Sequence, residues 1–262
     1  MATEKLSYRF RLAKIGKKPS VDRILVSLCF FPLSLVHAQI QTDGSLGSAK
    51  PLSGPDYVIN EDLGRRAGNN LFHSFSDFNV REGESATFKR ASEIANVISR
   101  VTGGNASVLD GLLKSEIVDA NLYFINPAGV LFGPNASLSI NGSFHTSTAD
   151  FIRLSDESLF YSKPLQGEIL STAAPRAFGF FGAPEGDIIV AGSQLDLEEK
   201  TTLSLVGGEV TVEDGARIHI PQGQINVVGV DSAGEVLLNT AAGHPDLDAD
   251  AFAQLNNVNI TN

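Results

Sequence analysis

The chain of 262 residues contains no tryptophan and a single cysteine, Cys29, which lies near the N-terminus. One cysteine cannot form an internal disulfide, although exported proteins often use disulfides for stability. No apolar run approaches the ~20 residues that a membrane-spanning helix needs. The fold must therefore be stabilised by apolar burial and backbone hydrogen bonding.

The first 38 residues differ in composition from the rest of the chain. Seven basic residues stand against two acidic ones, and an apolar run of 13 residues follows over 24–36. Val36 and Ala38 supply small residues at the −3 and −1 positions of a cleavage site. This pattern is typical of a secretory signal peptide, so we expect the Sec export machinery to act on residues 1–38. A buried helix and an uncleaved anchor are the alternatives.

The rest of the chain is strongly acidic. Without residues 1–38 it keeps 13 of the 20 basic residues and 28 of the 30 acidic ones, which gives a formal net charge of −15. Such a charge repels the phosphates of nucleic acids and anionic membrane surfaces. We therefore expect no nucleic-acid partner.

Short apolar pairs at alternate positions recur between residues 186 and 239. Alternation over four to six residues predicts a strand with one buried face, and the Gly-rich and Asp-rich clusters between pairs predict turns. The pairs are Leu195 and Leu197, Leu203 and Leu205, Val210 and Val212, Ile218 and Ile220, Ile225 and Val227, and Val236 and Leu238.

The pairs also repeat at longer range. Their first members recur after 22 to 26 residues, as in Leu195 and Ile218, Leu203 and Ile225, and Val210 and Val236. Three strands in a little over twenty residues is the coil length of a parallel β-helix, and such self-similarity indicates a solenoid. We predict an all-β parallel β-helix; an antiparallel sandwich or meander, which also shows alternation, is the alternative.

A second strand-rich stretch runs over residues 121–148. Its first two apolar segments are joined by Asn126-Pro127-Ala128-Gly129, whose residue types are those preferred at the first, second and fourth positions of a type I turn.

Two other stretches are less regular. Residues 39–80 are the natural N-terminal cap, because an open solenoid edge would pair with other chains. Residues 149–185 lack a clear period and are interpreted as an irregular excursion that folds back on the helix.

The segment over residues 121–138, NLYFINPAGVLFGPNASL, resembles the core of the filamentous haemagglutinin N-terminal domain in a cyanobacterial form. That domain is the secretion domain of two-partner secretion exoproteins. Residues 71–75 and 101–105 resemble further family segments, and the resemblance covers residues 39–154 well. It implies a right-handed parallel β-helix with an N-terminal cap.

The resemblance also implies a route and partners. Such domains are recognised in the periplasm by an outer-membrane transporter barrel, through which the chain reaches the outside. Downstream regions of such proteins commonly act as adhesins or haemagglutinins. We therefore expect a secreted or cell-surface protein with an adhesin-like role, whose surface, host or matrix ligand is unknown.

The family's signature is Asn-Pro-Asn-Gly-Ile. Asn126, Pro127 and Gly129 match it and are assigned as the transporter-recognition motif, whereas Ala128 and Val130 depart from it. Ala128 lacks the amide that could bond to the turn or to a partner. A second family motif, Asn-Pro-Asn-Leu, is not found in the sequence.

These expectations divide the chain into three parts. Residues 1–38 form the signal peptide, and residues 39–154 form the secretion domain with the cap and the first coils. Residues 155–262 carry further coils with an irregular insertion. Because the sequence stops inside what looks like another strand, we expect it to be a truncated piece of a longer exoprotein.

Catalytic and metal-binding patterns are weak. The adjacent acids Glu198-Glu199 and Glu213-Asp214 fall at predicted turns and are interpreted as solvated charges. The histidines outside the signal peptide lack metal-ligand spacing. Asp246, Asp248 and Asp250 resemble the start of a calcium loop, but the glycine and glutamate that an EF-hand requires are missing, which leaves a weak calcium site open.

We therefore expect no catalytic residue, no cofactor and no dedicated metal site. Two alternative functions stay open. A secreted β-helix enzyme acting on polysaccharide would show acidic and basic residues in a row on adjacent coils. A structural surface or matrix protein would need no dedicated transporter.

Overall fold

The computed structural model describes residues 39–89, 93–239 and 246–262, so the predicted signal peptide lies outside the described residues. These residues form 24 strands and one short 3-10 helix over Glu61–Leu63. In chain order the strands are β1 (Ile40–Thr42), β2 (Asp56–Ile59), β3 (Arg65–Ala67), β4 (Asn70–Phe78), β5 (Ser85–Phe88), β6 (Asn96–Val101), β7 (Ser107–Leu109), β8 (Leu112–Ser115), β9 (Asn121–Ile125), β10 (Val130–Phe132), β11 (Ser137–Ser139), β12 (Phe144–Ser147), β13 (Phe151–Leu154), β14 (Leu159–Tyr161), β15 (Pro175–Phe180), β16 (Ile188–Ala191), β17 (Gln194–Asp196), β18 (Thr202–Gly207), β19 (Val210–Glu213), β20 (Arg217–His219), β21 (Gln224–Gly229), β22 (Gly234–Asn239), β23 (Asp246–Asp248) and β24 (Val258–Ile260).

Parallel strands from successive coils stack into long sheets. Sheet A contains β4, β6, β9, β12, β18 and β21 in parallel order. Sheet B contains β2, β5, β8 and β11, and the parallel pair β17 and β20 continues beside it. Sheet C contains β7, β10, β16, β19 and β24. Each coil runs through sheets B, A and C in turn, which confirms the predicted parallel β-helix.

The strands of sheet A from β4 to β18 are buried on both faces over most of their length. Alternate residues such as Leu122 and Phe124 point into the central core of the helix, together with apolar residues of sheets B and C. The residues between them, such as Tyr123 and Ile125, lie in a second apolar cluster on the outer face. Burying a side chain of this size contributes about 1.5–3 kcal/mol, so both faces stabilise the stack.

A separate antiparallel sheet, sheet D, covers that outer face. Its strand order is β14, β13, β15, β22, β23. The chain leaves the helix twice to build it, once between β12 and β16 and once between β21 and β24. The predicted excursion is therefore confirmed, and it forms an ordered sheet rather than an irregular loop. Both departures lie at the corner between sheets A and C.

The predicted repeats are correct in two cases and wrong in the third. Leu195 pairs with Ile218 and Leu203 pairs with Ile225, as their spacing predicted. Val210 pairs with Val258, not with Val236. Val236 lies in the antiparallel β22, where it pairs with Phe178. The second excursion interrupts the repeat, and apolar alternation has the same period of two in parallel and antiparallel strands.

The N-terminal cap is smaller than the predicted 39–80. β1 and β3 pair antiparallel with β4, whose other edge joins β6 in parallel. β2 pairs in parallel with β5, so β2 and β4 already belong to the first coil. Over the described parts of the chain, no helix has the length and apolar character needed to cross a membrane.

Candidate functional site

The Asn126–Gly129 segment forms a β-turn at the corner between sheets A and C. The backbone N–H of Gly129 donates to the Asn126 carbonyl oxygen at 3.0 Å. The Ala128 N–H donates to the Asn126 side-chain Oδ1, also at 3.0 Å. An asparagine side chain that bonds the backbone two residues ahead reinforces a turn. The turn closes without a side-chain amide at position 128.

Asn126 is fully buried and ties three coils together. Its Nδ2 donates to the Asn105 carbonyl oxygen and to the Ser107 Oγ of the preceding coil, each at 3.0 Å. Its backbone N–H donates to the Ser147 carbonyl oxygen of the following coil at 2.9 Å. Removing this amide would leave buried polar groups unpaired, at about 1–3 kcal/mol for each group.

Glycines let the next coil pack directly on the turn. A Cβ at Gly186 would lie 2.3 Å from the Gly129 nitrogen and 2.5 Å from the Pro127 carbonyl oxygen. Gly129 has a φ of +114°, where side-chain-bearing residues are strained. Of the three residues assigned to the motif, Asn126 and Gly129 are buried and Pro127 is half-buried. A partner that touches the folded corner therefore meets Pro127 and Ala128.

Sequence reasoning missed the buried Arg100, whose side chain is 0% exposed. Its guanidinium pairs with Glu168 at 2.9 Å and donates to the Tyr161 carbonyl oxygen at 2.7 Å. It also donates to Ser74 Oγ at 2.7 Å and Ser45 Oγ at 3.1 Å. Arg100 thus joins the cap, sheet A and the first excursion. The available signal was an arginine inside the apolar strand NVISRV.

Two of the histidines lie in the interior. Burial lowers the pKa of His73 to about 4 and that of His145 to about 3. His145 contacts Ser204 Oγ through Nδ1 at 2.9 Å and stacks on Tyr123 at a centroid distance of 4.7 Å. Burial raises the pKa of Tyr123. Both histidines are neutral packing groups at neutral pH.

The predicted acidic pairs lie at the surface. Glu199 pairs with the neighbouring Lys200 at 3.3 Å, and both side chains are well exposed. Asp214 occupies a left-handed turn position with a φ of +57°. Asp248 accepts the Asp250 backbone N–H at 2.9 Å, while the side chain of Asp246 lies outside the described residues. Across the described residues, no three His, Cys, Asp or Glu side chains are grouped to hold a metal ion.

The structure is a capped parallel β-helix domain. It combines stacked parallel coils with antiparallel strands at the N-terminal end and a buried turn at the corner between sheets A and C. The family model described as "TPS secretion domain" matches residues 38–261. The chain belongs to this family, the secretion domains of two-partner secretion exoproteins, which are secreted or surface-associated proteins and not an enzyme family.

Two similar proteins carry the name "Heme/hemopexin-binding protein". The one from Haemophilus influenzae (strain ATCC 51907 / DSM 11121 / KW20 / Rd) is 25% identical over 242 residues, which cover 79% of this chain and 26% of the relative. The other, from Haemophilus influenzae, is 31% identical over 87 residues, which cover 33% of this chain and 9% of the relative. The chain thus spans about a quarter of the first relative's length.

Proposed function

We propose that this chain is the secretion domain of an exoprotein that leaves the cell through a partner outer-membrane transporter barrel. Residues 1–38 direct it to the Sec machinery, and the remaining chain crosses the periplasm and then the barrel. Membership of the TPS secretion domain family supports this function. The basic and apolar composition of the leader supports the first step of the route.

The pairing pattern suggests how folding is coupled to export. Parallel partners are far apart in sequence: Ser74 pairs with Arg100, and Phe144 pairs with Leu203. Contacts of such separation form slowly because a long loop must first be closed. We expect the chain to stay unfolded in the periplasm, where the transporter captures an extended segment by strand addition. Outside, coils stack onto the cap, and burial makes return unfavourable.

The Asn126–Gly129 turn would act at two stages of this route. In the unfolded chain, Asn126, Pro127 and Gly129 are all accessible to the transporter, which is when we expect recognition. In the folded domain Asn126 is buried and bonded to the neighbouring coils. The same residues are therefore first recognised by the transporter in the unfolded chain. They then stabilise the corner between sheets A and C as the coils stack.

Replacement of both Asn126 and Pro127 by Ala tests this role. We expect export to stop and a periplasmic pool to accumulate, measured by fractionation of cells with and without the candidate transporter. The matched control replaces Pro134 and Asn135 by Ala, an exposed turn of the same coil. Export of the Asn126/Pro127 variant at the wild-type level would refute the role of the turn.

For the exoprotein that carries this secretion domain, we propose an adhesin or haemagglutinin-like role at the surface. Its ligand on a host, surface or matrix is unidentified. The test is attachment of cells that express the exoprotein, compared with cells that lack the transporter. Equal attachment by both would contradict the proposal.

A further inference from the structure

A cavity of about 410 Å³ opens beside the Asn126–Gly129 turn. One side is formed by the corners of successive coils, including Pro127 and Ala128. The other side is formed by two segments of the first excursion, residues 162–163 and 181–185. The volume lies within the ~300–1,000 Å³ of sites that bind small molecules. All residues of the lining belong to the described parts of the chain.

An exposed aromatic side chain stands at this cavity. Phe181 is 66% exposed, although apolar rings are usually covered. Its ring lies 5.2 Å from that of Phe151 and 6.3 Å from that of Tyr161, measured between centroids. These neighbours hold Phe181 in place as a flat apolar platform that faces solvent.

The charged side chains of the lining are two carboxylates, which accept hydrogen bonds, and one ammonium, which donates them. The Asp150 carboxylate accepts the Phe181 backbone N–H at 2.8 Å through one oxygen, which leaves the other oxygen available. Glu185 and Lys163 have no ion pair among the described residues. Two carboxylates and one ammonium leave a single formal negative charge around the cavity. A ligand rich in hydroxyl donors suits such a lining.

Charge disfavours anionic ligands, and topology prevents a peptide from adding as a strand. The net charge of −15 outside the leader, together with the two carboxylates of the lining, repels anions. A cationic ligand is distinguished from a neutral one by the binding test below. A peptide cannot add as a strand here, because β6, β9 and β12 are each paired on both edges. The ligand that suits this cavity best is a neutral, compact molecule with an apolar face for Phe181 and several hydroxyl groups for the charged side chains.

We propose that this cavity binds a neutral saccharide. The apolar C–H face of a sugar ring would lie on Phe181, and its hydroxyl groups would donate to Asp150 and Glu185 and accept from Lys163. The site would exist only after the excursion has folded onto the helix, since the excursion supplies one wall. It is thus a property of the exported, folded domain and does not depend on how the chain is exported.

Saturation-transfer NMR on the exported full-length protein tests this inference. The neutral probes are lactose, maltotriose and diacetylchitobiose; arginine methyl ester and glucuronate serve as cationic and anionic probes. We expect at least one neutral probe to bind below about 10 mM, in the weak range for small ligands. Phe181→Ala should weaken that binding about threefold to tenfold, as expected for losing one ring contact, whereas Phe181→Tyr should retain it.

Matched controls separate the site from general effects. Ile169→Ala removes another exposed apolar side chain, outside the cavity, and should leave saccharide binding unchanged. Glu185→Gln should weaken binding, whereas Glu198→Gln, at an exposed turn, should not. The glutamate variants decide the outcome if Phe181→Ala does not fold, as judged by circular dichroism.

Three results would overturn the proposal. These are the absence of binding for every neutral probe, equal binding by wild type and the folded Phe181→Ala and Glu185→Gln variants, and stronger binding of either charged probe. The amount of exported protein is measured separately for each variant, so a failure of the export mechanism is distinguished from a failure of the cavity.

Discussion

Replacing Glu168 by Gln would leave the Arg100 guanidinium buried without its counter-charge. The Arg100 side chain is 0% exposed and that of Glu168 is 8% exposed, with 2.9 Å between the charged atoms. Removing one partner of a buried ion pair costs about 3–5 kcal/mol, mostly because the remaining charge is still desolvated. Arg100 keeps its hydrogen bonds to Ser74, Ser45 and the Tyr161 carbonyl oxygen. We therefore expect Glu168→Gln to lower the free energy of unfolding by about 3 kcal/mol, the lower end of this range.

Urea unfolding of the purified domain measures this loss, and limited proteolysis within residues 163–174 reports opening of the excursion. Glu199→Gln is the control, because Glu199 pairs with Lys200 at the surface and should contribute within ~1 kcal/mol. A double variant, Arg100→Met with Glu168→Leu, should recover most of the loss, since apolar groups can replace a buried ion pair. A loss below about 0.5 kcal/mol in Glu168→Gln would refute the claim that this pair fastens the excursion to the helix.

Two further predictions concern the interior. Because burial holds the pKa of His145 at about 3, against 6.5 for the free side chain, the unfolded chain binds a proton that the folded chain does not. Stability should therefore fall as pH decreases below 6.5, and His145→Phe should reduce the slope by about 1.2 kcal/mol per pH unit between pH 6 and 5 in urea titrations; an unchanged slope would contradict the burial of a neutral ring. Gly186→Ala should destabilise by ~3 kcal/mol, because its Cβ would meet the Gly129 nitrogen at 2.3 Å. Gly182→Ala, with nothing within 4 Å, should be neutral, and equal melting temperatures for both variants would contradict the packing at the turn.

The sequence predicts the parallel register correctly where the turns between strands are evenly spaced. The partners predicted for Leu195 and Leu203 are correct because each coil there closes without an insertion. Val236 was misplaced because a strand's apolar alternation does not record whether its partner is parallel or antiparallel. The two excursions build one sheet from segments far apart in sequence, which no local pattern signals.

The candidate site was predictable only in part. The residue types of Asn126-Pro127-Ala128-Gly129 predicted a turn, and the turn is present. The burial of Asn126 was not predictable, because its amide bonds to residues 19 and 21 positions away. Arg100, a buried charge, and Phe181, an exposed ring, both contradict ordinary expectation. The burial of Arg100 is explained by its ion pair with Glu168 of the first excursion, whereas Phe181 belongs to that excursion and contacts Phe151 within it.

Disulfide trapping between β17 and β20 tests the parallel coils most directly. In a chain with Cys29→Ser, cysteines are introduced at exposed positions of the two strands. In parallel register Gln194 lies beside Arg217 and Asp196 beside His219. In an antiparallel arrangement centred on the same strands, the partners would be 194 with 219 and 196 with 217. We predict cross-links for the first two pairs and none for the crossed pairs, whose Cα atoms lie beyond the ~7 Å limit for a disulfide. Efficient cross-linking of the crossed pairs would contradict the parallel β-helix on which the export mechanism depends.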